Sequence, residues 1–291
     1  AAPVDLSLSP KRKSRGFWSE AAHDLVTRRR SGQVGLAIIL VLISIALLAP
    51  TLATHEPNAV LIGKEEGVKR RQDPCIRAVD NLPSLPVVDF FRCDPGQPQH
   101  FFGTDGNGRD LYSRVLYGAR VSLKAGIYTV TLAVLAGFFL GAIAGYLGAI
   151  YDNAIMRIMD VVLAFPSLIL AIAINSALLT LADDSILSRG LGFMQRTLGF
   201  EDIGLLTALI SIAVVSIPTY ARLVRSQVLS LKEQEFVVAA RSIGARDRRI
   251  LLRAILPNAT APIIVAATLG IATATLDTAA LSFLGLGAQP P

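Results

Sequence analysis

The sequence predicts an all-α, polytopic membrane protein, and three observations carry that prediction. The 291 residues are 52% hydrophobic and only 17% charged, with a mean hydropathy of +0.53, whereas soluble domains carry roughly 25% charged residues. Five stretches lack any charged side chain: residues 32–54, 125–151, 161–182, 203–220 and 254–276. Each is about as long as the roughly 20 residues a helix needs to cross a hydrocarbon core of about 30 Å. Finally, lysine and arginine crowd two of the segments between these stretches, as they do on the cytoplasmic side of membrane proteins.

Taken in order, the chain begins with a segment, residues 1–33, that carries Lys11, Arg12, Lys13, Arg15, Arg28, Arg29 and Arg30. The positive-inside rule places it in the cytoplasm. Within it, Phe17, Trp18, Ala21, Ala22, Leu25 and Val26 recur at helical spacing against charged residues, which predicts an amphipathic helix lying on the inner surface. The first span, 34–54, is too long for a signal-peptide core and lacks a small-residue cleavage site, so it is expected to stay as an anchor. Residues 55–120 then form an external loop holding both cysteines, Cys75 and Cys93. A bridge between them is expected outside the cell, where disulfides persist; the alternative is two free thiols in a mobile loop.

Residues 121–291 make the membrane core, with helices expected near 121–149, 159–182, 203–221 and 257–280 and a cytoplasmic loop at 222–256. In the second span Gly137, Gly141 and Gly145 recur every four residues, a small-residue face that lets another helix approach closely. Pro166 removes a backbone donor in the third span and predicts a kink; transporters also use such breaks at binding sites. Asp160 sits at the inner end of that span. The loop 222–256 carries Arg222, Arg225, Lys232, Arg241, Arg246, Arg248, Arg249 and Arg253, and the same alternation of spans puts it inside. Asp277 lies about 20 residues beyond Asn258, near the outer end of the fifth span. An acid there could meet a substrate's ammonium group, or sit in solvated interface as a cap. The net charge of +6 is that of basic flanks beside membrane spans and carries no nucleic-acid pattern.

The cytoplasmic loop reads Gln234-Glu235-Phe236-Val237-Val238-Ala239-Ala240-Arg241-Ser242-Ile243-Gly244-Ala245 and closes with Leu256-Pro257. This resembles the "EAA" loop of ABC importer permeases, whose consensus is Glu-Ala-Ala, three residues, Gly, nine residues, Ile, one residue, Leu-Pro. Ala239, Ala240, Gly244, Leu256 and Pro257 occupy matching places; Val238 stands where the consensus has Glu and Ala254 where it has Ile. An acid appears three residues earlier, as Glu235, and that variant resembles the peptide-importer branch. Small alanines allow close approach, and Gly244 can take a positive φ that ends one short helix before another leaves at an angle. Pro257, lacking a donor, marks re-entry into the membrane.

The stretch from Phe102 to Asp110, the run Asp160 to Leu168 and the end from Ala280 to Pro291 are also similar to dipeptide and oligopeptide permeases of the C type. What the resemblance implies is a type I importer-permease fold whose loop, with Glu235, Ala239, Ala240, Gly244, Ala245, Leu256 and Pro257, docks into a groove on an ATPase. Implied partners are a homologous second permease, two ATP-binding-cassette ATPases, an extracytoplasmic peptide-binding protein and membrane lipid, in a bacterial inner membrane. Family members continue past Gln289-Pro290-Pro291, so a sixth span is expected there. The implied cargo is di- or oligopeptides. Nickel chelates or another small solute remain open, as does, in a different class, an ATPase-independent channel.

Catalytic signatures are absent from the sequence. There is no GxxxxGK[ST] phosphate loop, HExxH or GxSxG, and His23, His55 and His100 show no ligand spacing. The expectation is a transport subunit, not an enzyme, that holds no metal or cofactor of its own, with ATP and Mg bound on partner subunits.

Overall fold

A computed structural model describes residues 30–79, 83, 86–94, 96–184, 186–200 and 202–287. The expected interfacial helix around Phe17 to Val26 and the terminal Gln289-Pro290-Pro291 lie outside these residues. The chain divides into two compact units, Ala1–Arg120 and Val121–Pro291, and no strand occurs among the described residues.

The first unit contains α1, Arg30–Leu52, and the loop that follows it. Along α1, Ile38, Val41, Leu42 and Leu47 are exposed, as a lipid-facing helix requires, and the Ser44 hydroxyl donates to the Leu40 carbonyl, which leaves no bare polar group. The described residues of the loop are held by a disulfide and by backbone hydrogen bonds and contain no strand. Cys75 and Cys93 are disulfide-bonded with Cα atoms 4.8 Å apart. Cys75 donates its N–H to the His100 carbonyl and Ile76 to that of Phe91. Asp105 organises the entry to α2: its Oδ1 accepts from the backbone of Asn107 and Arg109 and its Oδ2 from Arg109 Nε at 3.1 Å. Partial burial alone would raise the Asp105 pKa, but these hydrogen bonds and the Arg109 charge hold it below the ordinary value. Gly103 adopts φ +72° with its Cα against the Gln72 carbonyl, a place no side chain fits. The fold also corrects one reading: His55 and His100, without ligand spacing along the chain, have ring centroids 5.1 Å apart.

The second unit is built around α6, Ile203–Lys232. Asp202 caps its start, accepting from Gly204 N–H at 2.8 Å. Much of α6 is buried, from Leu205, Leu206 and Leu209 to Val224 and Val228. Around it lie α2, Leu111–Leu147, α3, Ala149–Leu163, α4, Ser167–Asp184, α5, Ile186–Leu198, and α9, Leu256–Phe283. Between α6 and α9 stand two short helices, α7, Glu235–Ser242, and α8, Asp247–Ile250, and a π-helical turn, Leu251–Ile255.

Helices in lipid gain little from hydrophobic transfer between one another, so close packing and hydrogen bonds hold them together. Gly137, Gly141 and Gly145 of α2 lie directly on α6. A Cβ at Gly137 would meet Tyr220 Cβ at 2.6 Å, one at Gly141 the Ala221 carbonyl oxygen and Val224 Cβ at 2.8 Å, and one at Gly145 Val228 Cβ at 3.0 Å. A fourth contact of this kind, outside that run, is Gly126, where a Cβ would meet Ile271 Cγ2 of α9 at 2.9 Å.

Several expected boundaries change. The third span is not one helix over 159–182: α3 and α4 are separate, meeting at 96° across residues 164–166. Pro166 offers no donor, and its ring disfavours helical φ/ψ at Phe165, so the helix stops rather than kinks. The second span is longer than 121–149 at its start and stops at Gly148, which takes φ +66°. The fourth runs to Lys232 rather than 221, so the loop expected from 222 begins at Glu233. The fifth, Leu256–Phe283, extends the expected 257–280 slightly at both ends. The linker after α4 forms α5, whose Leu191 is buried in a cluster with Phe200, Leu205, Leu206 and Leu209. Leu187, Leu191, Met194 and Leu198, at helical spacing along the sequence, were its signal.

Two arginines of α6 hold α3 against it. Arg225 pairs through both Nε and a terminal nitrogen with the two carboxylate oxygens of Asp152, and Arg222 contacts Asp160 at 2.5 Å. The Arg225 and Asp152 side chains are 33% and 18% exposed, so water screens the pair in part. A double-mutant cycle with Arg225→Gln and Asp152→Asn, read by thermal unfolding in detergent, should give a coupling of about 1 kcal/mol; a coupling near zero would show that the bidentate geometry adds nothing.

Candidate functional site

The loop between α6 and α9 folds as a helix-turn-helix whose geometry follows from its small residues. Glu235 opens α7, an acid favourable at a helix N-terminus. The helix ends in a Schellman motif: Ala245 N–H reaches the Ala240 carbonyl at 3.0 Å, Gly244 N–H reaches that of Arg241 at 2.9 Å, and Gly244 adopts φ +77°. Ala240 and Ala245 are the residues whose apolar contact accompanies that motif, and both pack against the inner core. The same hydrogen-bond pattern closes α9, with Gly285 at φ +80° and Leu286 N–H on the Leu281 carbonyl.

This corrects part of the sequence reading. Close approach of a partner was expected at both Ala239 and Ala240, yet only Ala239 is exposed; Ala240, Ala245 and Leu256 are half-buried and face inward. The outward face consists of Glu235, Phe236, Val238, Ala239, Ile243 and Gly244, with Ile243 85% exposed and Val238 56%. A Cβ on Gly244 would touch nothing within 4 Å, so within this chain its glycine is required by φ alone. Pro257 is exposed at the start of α9. It has no N–H for the Arg253 carbonyl, and the π turn before it accommodates the gap while Asn258 Nδ2 donates to the Ala254 carbonyl at 2.6 Å.

Residues that motif reading missed join this helix-turn-helix to the spans. Val237, Ile250 and Ile255 are buried with Ala142 of α2, Val224 and Val228 of α6, and Ala259 and Ile263 of α9. At the end of α2 the Tyr146 hydroxyl donates to Asp247 Oδ1 at 2.8 Å, and Lys232 Nζ donates to the Tyr146 carbonyl at 2.9 Å. A force on α7 therefore reaches α2, α6 and α9 through packed side chains. The period of Val237 and Ala240 on α7 was the available signal; Tyr146, a hundred residues away, had none.

Two residues singled out for the pathway converge. A cavity of about 140 Å³ is lined by Phe165 and Ser167, the neighbours of Pro166, together with Ser216 and Thr219 of α6 and Asp277 of α9. Asp277 is the charged group among its lining residues and is exposed on this chain. A carboxylate at membrane depth is unfavourable against lipid, so this surface suits water or another subunit. Elsewhere, the fully buried Asn175 of α4 donates to the Leu286 carbonyl at 2.6 Å and ties α4 to the chain after α9.

An all-α chain with four or five apolar helices and a helix-turn-helix packed on them defines the class: a multi-pass membrane transport permease, not an enzyme. Residues 137–291 match the family described as "Binding-protein-dependent transport system inner membrane component", and the chain belongs to that family, the permeases of ABC importers. It is 41% identical over 274 residues to the dipeptide transport system permease protein DppC of Alkalihalophilus pseudofirmus, covering 94% of this chain and 73% of that protein. It is 35% identical over 280 residues to the di/tripeptide transport system permease protein DppC of Pseudomonas aeruginosa, covering 94% and 75%. With the glutathione transport system permease protein GsiD of Escherichia coli it shares 45% identity over 193 residues, covering 66% and 56%. ATP hydrolysis in such systems belongs to separate ATPase subunits, and a substrate-binding protein completes them.

Proposed function

We propose that this chain is one of two permease subunits in an ABC importer that moves di- or oligopeptides across a bacterial inner membrane. Its N-terminus lies in the cytoplasm. A homologous permease lies beside it, two ATPases engage the cytoplasmic loops, and an extracytoplasmic binding protein delivers the peptide; ATP and Mg stay on the ATPases. The observation that carries the coupling role is the Schellman-capped turn at Gly244, which presents Phe236, Val238, Ala239 and Ile243 outward on a base packed into three spans. Peptide cargo is supported by the dipeptide, di/tripeptide and glutathione relatives.

Asp277 and the helix break at Pro166 would line the path, with the Asp277 carboxylate meeting the substrate's ammonium group. The test is ATP-dependent uptake into proteoliposomes holding the full complex and binding protein. A labelled dipeptide should accumulate and a nickel chelate should not; the reverse would overturn the cargo. Asp277→Asn should lower uptake of free dipeptide about tenfold, the equivalent of roughly 1.4 kcal/mol, while an N-acetylated dipeptide taken up by the wild type is unaffected. Equal effects on both would remove Asp277 from cargo contact.

A further inference from the structure

The loop module of the first unit contains a cluster that the transport role does not use. His100 is fully buried, and its Nδ1 lies 2.9 Å from Oδ1 of the equally buried Asp110. The other Asp110 oxygen, Oδ2, is also occupied, accepting from the Ser113 N–H at 2.8 Å and the Thr54 hydroxyl at 3.2 Å. A carboxylate against Nδ1 favours the imidazole tautomer with its proton there, which makes Nε2 the lone-pair nitrogen of the ring.

That Nε2 is buried and has no hydrogen-bond partner. A histidine kept only for packing would satisfy both nitrogens. Glu65 Oε2 lies 4.0 Å from it, too far for a hydrogen bond, and the same oxygen is 3.5 Å from His55 Nε2. His55 in turn has its Nδ1 2.9 Å from the Thr54 hydroxyl, so its Nε2 also faces the gap with Glu65. His55, His100 and Asp110 together form a cluster with one ligand atom from each within 4.8 Å of one another. Asp110 spends Oδ1 on His100 and Oδ2 on the Ser113 N–H and the Thr54 hydroxyl, which leaves Glu65 as the carboxylate that faces the two Nε2 atoms.

We propose that His55, Glu65 and His100 form a Zn²⁺ site, with Asp110 positioning His100 from behind. Tetrahedral Zn²⁺ holds nitrogen and oxygen ligands at about 2.0–2.2 Å, which sets neighbouring ligand atoms about 3.3–3.6 Å apart. The separations of 3.5 and 4.0 Å need a closure of only a few tenths of an ångström. Two imidazoles and a carboxylate are a donor set that Zn²⁺ favours. A carboxylate behind a ligating histidine is the outer arrangement that fixes its tautomer and raises its basicity. Glu65 is 36% exposed, which leaves the fourth position open to water. The bound ion would clamp the chain leaving α1, at His55, to the chain entering α2, at His100, a second cross-link beside the Cys75–Cys93 disulfide.

The test uses the full-length, detergent-purified, disulfide-intact protein after chelator treatment. Co²⁺ is titrated as a spectroscopic probe and Zn²⁺ added in competition. The expected result is one ion per chain, with tetrahedral-type Co²⁺ absorption. His55→Asn and Glu65→Gln should each weaken binding at least tenfold, and Asp110→Asn by about 10- to 100-fold with the stoichiometry kept. Glu65→Gln decides the matter, because Glu65 is part-exposed and its isosteric change leaves the fold intact. Binding by the wild type no tighter than by the H55N/E65Q double variant, or an affinity unchanged by Glu65→Gln, would overturn the site.

Discussion

Gly141→Leu is expected to abolish stable assembly of the membrane core. A Cβ alone at that position meets the Ala221 carbonyl oxygen and Val224 Cβ, and both belong to the buried side of the central helix. Leucine adds three more carbons to a contact with no space, so α2 and α6 must separate. Overpacking costs about 1–3 kcal/mol where neighbours can shift, and here one neighbour is backbone. Separation would also part Ala142 from Val224 and Val228, the core beneath the helix-turn-helix. Thermal unfolding in detergent should fall by several degrees and recovered protein severalfold. Phe139→Leu on the same helix, at a site 63% exposed, should stay within about 0.5 kcal/mol of the wild type. Equal behaviour of the two variants would show that the glycine face does not set the helix contact.

Ile243→Asp should break coupling without breaking the fold. Ile243 is 85% exposed at the tip of the turn, where its side chain supports nothing within this chain, so unfolding in detergent should be unchanged. If the tip seats in an ATPase groove, a buried aspartate there loses an apolar anchor and adds an unpaired charge. Hot-spot losses of this kind exceed about 2 kcal/mol, which is more than tenfold in affinity. Co-purification of the ATPases and ATP-driven uptake should fall together. Gly244→Asn is the companion variant: asparagine tolerates the positive φ and its Cβ would meet nothing within 4 Å on this chain, so a loss of association with unfolding unchanged would come from the partner's approach. Full association and uptake with Ile243→Asp would remove this turn from the interface.

How far the sequence reached can be judged from single residues. Gly137, Gly141 and Gly145 announced a packing face because a four-residue spacing repeats on one side of a helix, but not which helix would lie against it. Gly126 ends a similar run, Gly118, Ser122 and Gly126, yet a Cβ at Gly118 would meet nothing within 4 Å, so spacing alone did not say which member is packed. The turn at Gly244 was legible because positive φ leaves few residue choices. Which alanine beside it faces outward was not, since the helical phase depends on where α7 docks, and Val237 and Ala240 turn one face inward. Pro166 could be read as an interruption; the 96° angle it produces needed the pairing of α3 with α6 through Asp152 and Asp160.

By itself the sequence determined that this is a multi-pass helical membrane protein with a basic loop built around Ala239, Ala240, Gly244, Leu256 and Pro257. Hydrophobic length, charge placement and backbone restrictions are local properties that each residue carries into any fold. The tertiary structure decided what is non-local: that α6 is the hub, that Tyr146 and Lys232 anchor the helix-turn-helix to the spans, that Asp277 and the break at Pro166 share a cavity, and that His55, Glu65, His100 and Asp110 meet. Some of those contacts join residues more than a hundred positions apart in the chain. Their chemistry arises from distance and burial, which no spacing along the chain encodes.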